Sequence, residues 1–415
     1  MASQIRSLMT PITPIRNCSC RRCCEHDRKT YWRAEMTRIV LGNARIVLPN
    51  DVVHGHVTAE GGWITSIDTG RKLPVGAIDF AGDFLMPGLV DLHSDHLEKH
   101  IMPRAGVYWH ALSAAVSYDA QVISSGITTM FDSFGLVGEE FDSDRNGALG
   151  RMLQGMEEAA IEGLLRADHF IHLRCEIIEA DIVERFATLQ EHPRLKLVSL
   201  MDHTPGQRTF PDSNKWKMHQ KRRTGASDAE LDAILAARQE ARDQYAIRNR
   251  RAISKICQEK GIVVASHDDT TLDHVLEAKE LGNRISEFPT TRLAATEARR
   301  RDVQIVMGAP NLVRGGSHIG NLSASECARA SLLDVLASDY IPASLLHAAF
   351  LLNGETIGWT LPQAVATVTS SPAACVGLDD RGEIVLGKRA DLLRVRLHNR
   401  LPVIRSVWRA GNLVY

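Results

Sequence analysis

The segment Pro87-Gly-Leu-Val-Asp-Leu-His93-Ser-Asp95 indicates both the fold and the chemistry of this chain. A Pro-Gly turn leads into a short apolar run, which predicts a buried strand. The run ends in two side chains that can ligate metals, and residues at positions i and i+2 of a strand lie on the same face. His93 and Asp95 can therefore bind one metal ion together.

Seven further apolar runs of similar length follow, so the sequence predicts eight strands. The runs begin at or near Leu89, Ile127, Phe170, Leu195, Ile262, Ile285, Val303 and Leu333. Helix-length stretches, such as residues 148–162 and 228–260, separate them. Apolar strands that alternate with helices indicate a parallel sheet buried on both faces, and eight units favour an α/β fold of the TIM-like (β/α)8 barrel type. A doubly wound sheet is the alternative architecture.

The two ends of the chain have a different sequence pattern from the middle. Short β-patterned runs occupy residues 38–86 and return between 382 and 415. We expect a small β-sandwich domain built from residues 37–86 and 367–415, flanking a catalytic barrel at 87–366. Residues 1–36 are basic, rich in cysteine and aperiodic, so we expect a disordered extension, with Met36 as a candidate start. The connection from His203 to Gly261 exceeds a simple crossover and suggests a lid or subdomain over the site.

Composition excludes several function classes. The 415 residues carry a net charge of −1, so no general basic field indicates a nucleic-acid partner. No apolar run reaches the length of a membrane span, and no membrane role is expected. Four scattered cysteines are expected to be reduced thiols in the core of a cytoplasmic protein: Cys175, Cys257, Cys327 and Cys375. The cluster from Cys18 to Cys24 lacks a second ligand pair at zinc-finger spacing. The sequence leaves open whether the protein is a homo-oligomer.

Five of the eight predicted strands end in side chains that commonly ligate metals. These side chains are His93 and Asp95 after the first strand, Glu176 after the third, His203 after the fourth, His267 after the fifth and Asp339 after the eighth. In a barrel, the carboxyl ends of all strands meet at one mouth, where active sites form. A single such residue is usually a turn or cap residue, but five strands ending this way predict a metal site.

Several segments together resemble the amidohydrolase superfamily and, within it, the phosphonate-metabolism diphosphatase (PhnM) family of the carbon–phosphorus lyase pathway. They are His93-Ser-Asp95, His172-Leu-Arg-Cys-Glu176, Leu200-Met-Asp-His-Thr-Pro-Gly-Gln-Arg208, Ala265-Ser-His-Asp-Asp269, Glu287-Phe-Pro-Thr-Thr291 and the stretch from Met307 to His318. The resemblance covers residues 37–415. It implies a metal-dependent hydrolase whose substrate is a phosphorylated ribose phosphonate, α-D-ribose 1-methylphosphonate 5-triphosphate, and whose products are the 5-phosphate and pyrophosphate.

The resemblance and the strand ends together suggest roles for these residues. The predicted metal ligands are His93, Asp95, His203 and His267, with Glu176 as a bridging carboxylate because no lysine stands at a suitable strand end. The cofactor is expected to be one or two divalent ions, zinc first, with manganese or iron as alternatives. Asp339 is the predicted proton acceptor from water and proton donor to the leaving group.

A glycine-rich loop follows the seventh predicted strand, in Gly308-Ala-Pro-Asn-Leu-Val-Arg314-Gly-Gly-Ser317-His318. Barrels often build phosphate sites at this position from backbone amides and basic side chains. We therefore predict substrate contacts from Arg314, Ser317 and His318, and from Lys99 and Arg208 after the first and fourth strands. The alternative function is a deaminase or cyclic amidase acting on a C–N bond, whose mostly neutral substrates would not need this loop.

Overall fold

A computed structural model of the chain describes residues 38–137, 143–317 and 320–415, apart from the side chains of residues 143–147 and 223. The expected disordered extension at 1–36, the cluster from Cys18 to Cys24, and His318 lie outside the described residues.

Both ends of the chain contribute to one β-sheet. Its strands are β1 (Arg38–Val47), β2 (Val52–Glu60), β3 (Trp63–Thr69), β4 (Ile78–Asp79), β5 (Phe84–Pro87), β14 (Leu392–His398), β15 (Leu401–Arg409) and β16 (Asn412–Leu413). The strand order is β16-β15-β14-β5-β1-β2-β3, with β4 beside β1, and most of the pairs are antiparallel. Phe80 stacks on Trp408 in the apolar core of this sheet, with 5.8 Å between the ring centres. The two ends of the sequence thus form one sheet that is separate from the barrel sheet.

The middle of the chain forms an eight-stranded parallel barrel, which confirms the predicted fold class. The strands are β6 (Leu89–Ser94), β7 (Ile127–Leu136), β8 (Asp168–Glu176), β9 (Leu195–Met201), β10 (Val263–His267), β11 (Ile285–Glu287), β12 (Gln304–Gly308) and β13 (Val335–Ala337). Neighbours in sequence pair in parallel throughout. The last strand returns to the first, because the Asp339 N–H donates to the His93 carbonyl at 2.9 Å and the Asp95 N–H donates to the Asp339 carbonyl at 3.0 Å.

Apolar side chains fill the inside of the barrel, so it is a packed core and not a pore. This interior core contains Val90, Leu92, Phe131, Leu197, Ala265, Ile285, Val306 and Val335. Buried strands with both faces covered must be apolar nearly throughout, which is why the sequence shows continuous apolar runs and not alternation. Asp91 is a buried polar residue at the seam, where its Oδ1 accepts hydrogen bonds from the N–H groups of His93 and Ser338 at 3.2 and 3.1 Å.

Helices follow the strands and cover the outer face of the barrel. The helices are α1 (Leu97–Ile101), α2 (Ala111–Ser124), α3 (Ser143–Ile161), α4 (Ile182–Ala187), α5 (Ser213–Thr224), α6 (Asp228–Ala241), α7 (Ile247–Lys260), α8 (Leu272–Glu280), α9 (Arg292–Arg300), α10 (Ala309–Val313), α11 (Ala324–Arg329), α12 (Ser344–Leu352), α13 (Leu361–Ala366) and α14 (Ser370–Cys375). In the part of the chain that the structure describes, no helix has the length and apolar character needed to cross a membrane. The four scattered cysteines are buried free thiols, as predicted.

The long connection between β9 and β10 is helical, containing α5, α6, a π-helical turn at Arg242–Ala246, and α7. Two arginines one turn apart attach it to the end of β9. Arg242 Nε donates to Asp202 Oδ2 at 3.1 Å, and Arg238 Nη1 donates to the His203 carbonyl at 3.2 Å. The connection therefore supports the strand end that carries His203.

Candidate metal centre

The strand ends bring the predicted metal and catalytic residues together at one mouth of the barrel. The rings of His93 and His267 have centres 6.1 Å apart, and those of His203 and His267 have centres 5.8 Å apart. Asp95 and Asp339 join this group through the backbone hydrogen bonds that close the barrel. The residues that meet here are His93, Asp95, Glu176, His203, His267 and Asp339.

A buried glutamate, Glu287, connects two of the histidines. Its Oε1 lies 2.8 Å from His93 Nδ1, and its Oε2 lies 2.8 Å from His267 Nδ1. The Ser199 hydroxyl donates to the same Oε2 at 2.7 Å. Burial opposes ionisation of Glu287, but the neighbouring histidine charges and hydrogen bonds outweigh burial and hold its pKa well below the usual range. The carboxylate therefore fixes the orientation of both rings.

No role was predicted for Glu287, although its segment was among those that carry the resemblance. It ends β11, the sixth barrel strand. The signal that identified the other candidates, a ligand-type residue at a strand end, would also have identified Glu287. Arg174 was missed as well, since it lies within β8 and its Nη1 comes to 4.0 Å from Asp95 Oδ2 at the mouth.

Glu176 holds His203 in a comparable way. Its Oε2 lies 2.6 Å from His203 Nδ1, and its Oε1 accepts the His203 backbone N–H at 3.0 Å. Each of the three mouth histidines therefore has its Nδ1 against a glutamate. Metal-binding histidines commonly donate this ring N–H to a carboxylate, which leaves Nε2 as the metal ligand. The arrangement fits a divalent metal ion.

Among the residues that the structure describes, two groups of potential metal ligands have donor atoms within 4.8 Å of one another: His93, His172 and Glu287, and His203, His267 and Asp268. In the first group, His172 is fully buried and occupied by the protein, because its Nε2 lies 2.5 Å from the Ser199 hydroxyl and its Nδ1 lies 2.9 Å from the Leu92 carbonyl. In the second group, Asp268 lines an open cleft. The second group is thus the one that opens to the cleft.

Three residues at this mouth have a left-handed backbone. Asp268, Phe288 and Asp339 have φ angles of 54°, 54° and 56°, in the left-handed region that non-glycine residues rarely adopt. Left-handed Phe288 places its ring edge-on to His93 and His267, with centres 5.1 and 5.4 Å away. Such conformations cost about 1–3 kcal/mol each and persist where the surrounding structure enforces them. The packing of Phe288 against both histidine rings shows what holds this conformation in place.

Asp339 is the carboxylate at the mouth that was predicted to transfer protons. Burial raises its pKa, and the Asp95 charge adds to that effect against the opposing influence of His93. A carboxyl group with a raised pKa can accept a proton and release it again closer to neutral pH than an ordinary aspartate.

A cleft of about 330 Å³ opens beside these residues. Asp268, Asp339 and Tyr340 form one part of its wall, and Arg314 and Ser317 form another. The intervening surface is largely apolar, with contributions from residues such as Phe288, Met307, Pro310 and Leu322. The predicted phosphate loop therefore lines the same cleft as the metal-centre residues.

The other predicted substrate residues have different surroundings. Lys99 is exposed, with its Nζ 5.4 Å from the centre of the Tyr340 ring. Arg208 is buried, and its Nη1 donates to Asp269 Oδ1 at 2.9 Å and to the His267 carbonyl at 2.7 Å. Arg208 thus supports the end of β10 from within, and its contact with substrate stays a prediction.

Comparison with known proteins places the chain in a family. The model of the amidohydrolase family matches residues 84–415. The chain belongs to the amidohydrolase family. It is 40% identical over 378 residues to α-D-ribose 1-methylphosphonate 5-triphosphate diphosphatase of Escherichia coli (strain K12), covering 91% of this chain and 100% of that protein. It is also 24% identical over 380 residues to an adenine deaminase of Desulfatibacillum aliphaticivorans, covering 86% of this chain and 55% of that protein.

Several solved structures share the fold of this chain at low sequence identity. A 5-methylcytosine deaminase from Klebsiella pneumoniae superposes with a TM-score of 0.61 at 15% identity, covering 91% of this chain and 98% of that one. An N-acetylglucosamine-6-phosphate deacetylase from Pasteurella multocida gives 0.58 at 14% identity, with 91% and 99% covered. Because one amidohydrolase fold supports such different reactions, the cleft and not the barrel must determine the substrate.

Proposed function

We propose that this amidohydrolase is a metal-dependent diphosphatase of phosphonate catabolism in the cytoplasm. Its substrate would be α-D-ribose 1-methylphosphonate 5-triphosphate, which it would hydrolyse to the 5-phosphate and pyrophosphate. The observation that carries the proposal is the 40% identity with the Escherichia coli diphosphatase over the whole length of that protein. A cleft that joins metal-type donors to a basic, glycine-rich loop supports it, because a triphosphate needs both.

The proposed metal ligands are the Nε2 atoms of His93, His203 and His267 and a carboxylate oxygen of Asp95. The bridging role predicted for Glu176 is not part of the proposal, because both of its oxygens hold His203. Asp268 is an additional candidate, because it lies with His203 and His267. One or two divalent ions are proposed, with zinc first and manganese or iron as alternatives. When bound, such an ion acidifies water and neutralises phosphoryl charge.

The remaining chemistry would come from the side chains of the cleft. Asp339 would take a proton at its carboxylate and later return it to the leaving group, for which its raised pKa is suited. Arg314 would bind the pyrophosphate oxygens, since a guanidinium matches phosphate geometry. Phe288 and Met307 would exclude water from the face of the sugar.

Product analysis tests the proposal. The protein is incubated with the ribose 1-methylphosphonate triphosphate, with a nucleoside triphosphate and with adenine, and pyrophosphate and ammonia are measured. We expect pyrophosphate release with a clear preference for the phosphonate substrate. Equal rates on both triphosphates would contradict the specific substrate and leave a general triphosphate hydrolase. Ammonia release without pyrophosphate would establish the deaminase alternative, which the similarity to adenine deaminase favours.

A further inference from the structure

Helix α5 (Ser213–Thr224) carries two sets of basic side chains with different surroundings. Lys217 contacts Asp232, and Lys221 Nζ lies 2.9 Å from Asp228 Oδ1, so both pair with α6. Lys215, His219 and Arg222 have no acidic partner among the residues that the structure describes. Within the described chain, no ion pair neutralises the charges of Lys215 and Arg222, although Asp212 lines the same cavity.

The second set lies on one face of the helix. Lys215, Met218, His219 and Arg222 occupy positions i, i+3, i+4 and i+7, the spacing of neighbours on a helical surface. All four line a cavity of about 310 Å³. Trp216, only 5% exposed, anchors the helix beside them. The cationic face is thus exposed and lines one wall of this cavity.

This second cavity adjoins the cleft of the metal centre. Thr209, Phe210, His219 and Asn321 line both spaces. The His219 ring lies against Phe210, with 5.6 Å between the ring centres. An elongated ligand that lies beside Asp268 and Asp339 can therefore extend past Phe210 to α5.

We propose that Lys215, His219 and Arg222 form a second anion subsite, which binds the tetrahedral phosphate or phosphonate group of the substrate farthest from the metal centre. Like-charged side chains on one helix face repel one another unless an anion lies between them. Arginine and lysine bind phosphate oxygens through charge-assisted hydrogen bonds. The identity of the substrate, but not the existence of the subsite, rests on the function proposed above.

The test compares a double variant, Lys215→Ala with Arg222→Ala, with the control Lys221→Ala. The control removes a charge from the same helix, but from the face that pairs with α6. All these side chains are exposed, so folding should be retained, and thermal melting checks this. For pyrophosphate release, we expect the KM of the double variant to rise about tenfold or more, with kcat and metal content near wild type. The control should match wild type.

A second substrate identifies the bound group. If the phosphonate occupies the subsite, the rise in KM will be confined to the ribose 1-methylphosphonate triphosphate and absent with ribose 5-triphosphate. If the terminal phosphate occupies it, KM will rise for both, and inhibition by pyrophosphate will weaken. Values of KM and pyrophosphate inhibition equal to those of Lys221→Ala would overturn the subsite.

Calorimetric binding separates this inference from the proposed function. Wild type that releases no pyrophosphate from either triphosphate would refute the function. Titration with inorganic pyrophosphate and with methylphosphonate would still test the subsite. Binding of either anion that weakens about tenfold in the double variant but not in Lys221→Ala would support it. Binding unchanged in the double variant, or not detected in wild type, would overturn it.

Discussion

The two ends of the barrel shift the pKa of an aspartate in opposite directions. Asp168 lies at the amino end of β8 (Asp168–Glu176). Its carboxylate accepts hydrogen bonds from Arg381 at 2.7 Å, Arg389 at 2.5 Å and Arg409 at 3.3 Å. Burial opposes ionisation, but these arginines, Arg389 foremost, lower the pKa of Asp168 to about 2. At the mouth, burial raises the pKa of Asp339. One end therefore holds a permanent charge that joins the β domain to the barrel, and the other holds a carboxyl group that can exchange protons.

This contrast explains how one fold combines stability with a reactive site. Left-handed backbone at the mouth lowers stability, and the ion pairs of Asp168 at the opposite end can offset that loss. We expect substitutions at the mouth to change chemistry with little loss of stability, and substitutions at the base to do the reverse.

The largest effect is expected from Asp339→Asn. The amide cannot accept the proton, so kcat for pyrophosphate release should fall by about a thousandfold or more. Bound metal should remain, and thermal stability should be equal or higher because a buried ionisable group is removed. Steady-state kinetics, metal analysis and melting curves measure the three quantities. Activity close to wild type would exclude Asp339 as the proton acceptor.

Glu287→Gln should lower the affinity for the metal, and it should not affect proton transfer directly. The amide has one acceptor oxygen where the carboxylate serves both His93 and His267. Loss of an orienting carboxylate typically lowers metal affinity about 10- to 100-fold. Chelator competition measures this affinity. Ser199→Ala, which removes only a hydrogen bond to Glu287, is the milder control, and wild-type affinity in Glu287→Gln would contradict the orienting role.

Arg314→Ala should affect binding of the triphosphate. Because Arg314 lines the cleft away from the metal-centre donors, KM should rise about tenfold while kcat changes little. The exposed Arg400, which pairs with Glu355, provides a matched control in Arg400→Ala. An unchanged KM would remove Arg314 from the phosphate site.

At the base, Asp168→Asn should lower the free energy of unfolding by about 1–3 kcal/mol while turnover per folded molecule stays near wild type. Because the folded-state pKa is depressed, the contribution of Asp168 is fully present above pH 3.8, its ordinary pKa, and is lost as the pH falls towards 2. The difference in stability between wild type and variant should therefore shrink over that interval. Denaturant unfolding at a series of pH values checks this, and a pH-independent difference would contradict it.

Local patterns predicted much of this molecule. The eight apolar runs, the β-rich ends and the strand-end candidates depend on periodicity and order along the chain, which one sequence displays directly. Contacts between side chains that are far apart in the sequence could not be predicted from these patterns. Glu287 meets His93 across 194 positions, and Arg208 meets Asp269 across 61. The cationic face of α5 emerged only when Lys217 and Lys221 could be assigned to partners on α6.

Removing the metal and adding it back is the sharpest test of metal-dependent pyrophosphate release. The wild-type protein is stripped with a chelator, assayed for pyrophosphate release from the ribose 1-methylphosphonate triphosphate, and assayed again after zinc, manganese or iron is added. We predict that pyrophosphate release disappears with the metal and returns with at least one of these ions, without ammonia from adenine at any stage. Pyrophosphate release that survives complete removal of metal, or its absence from the fully loaded protein, would contradict it.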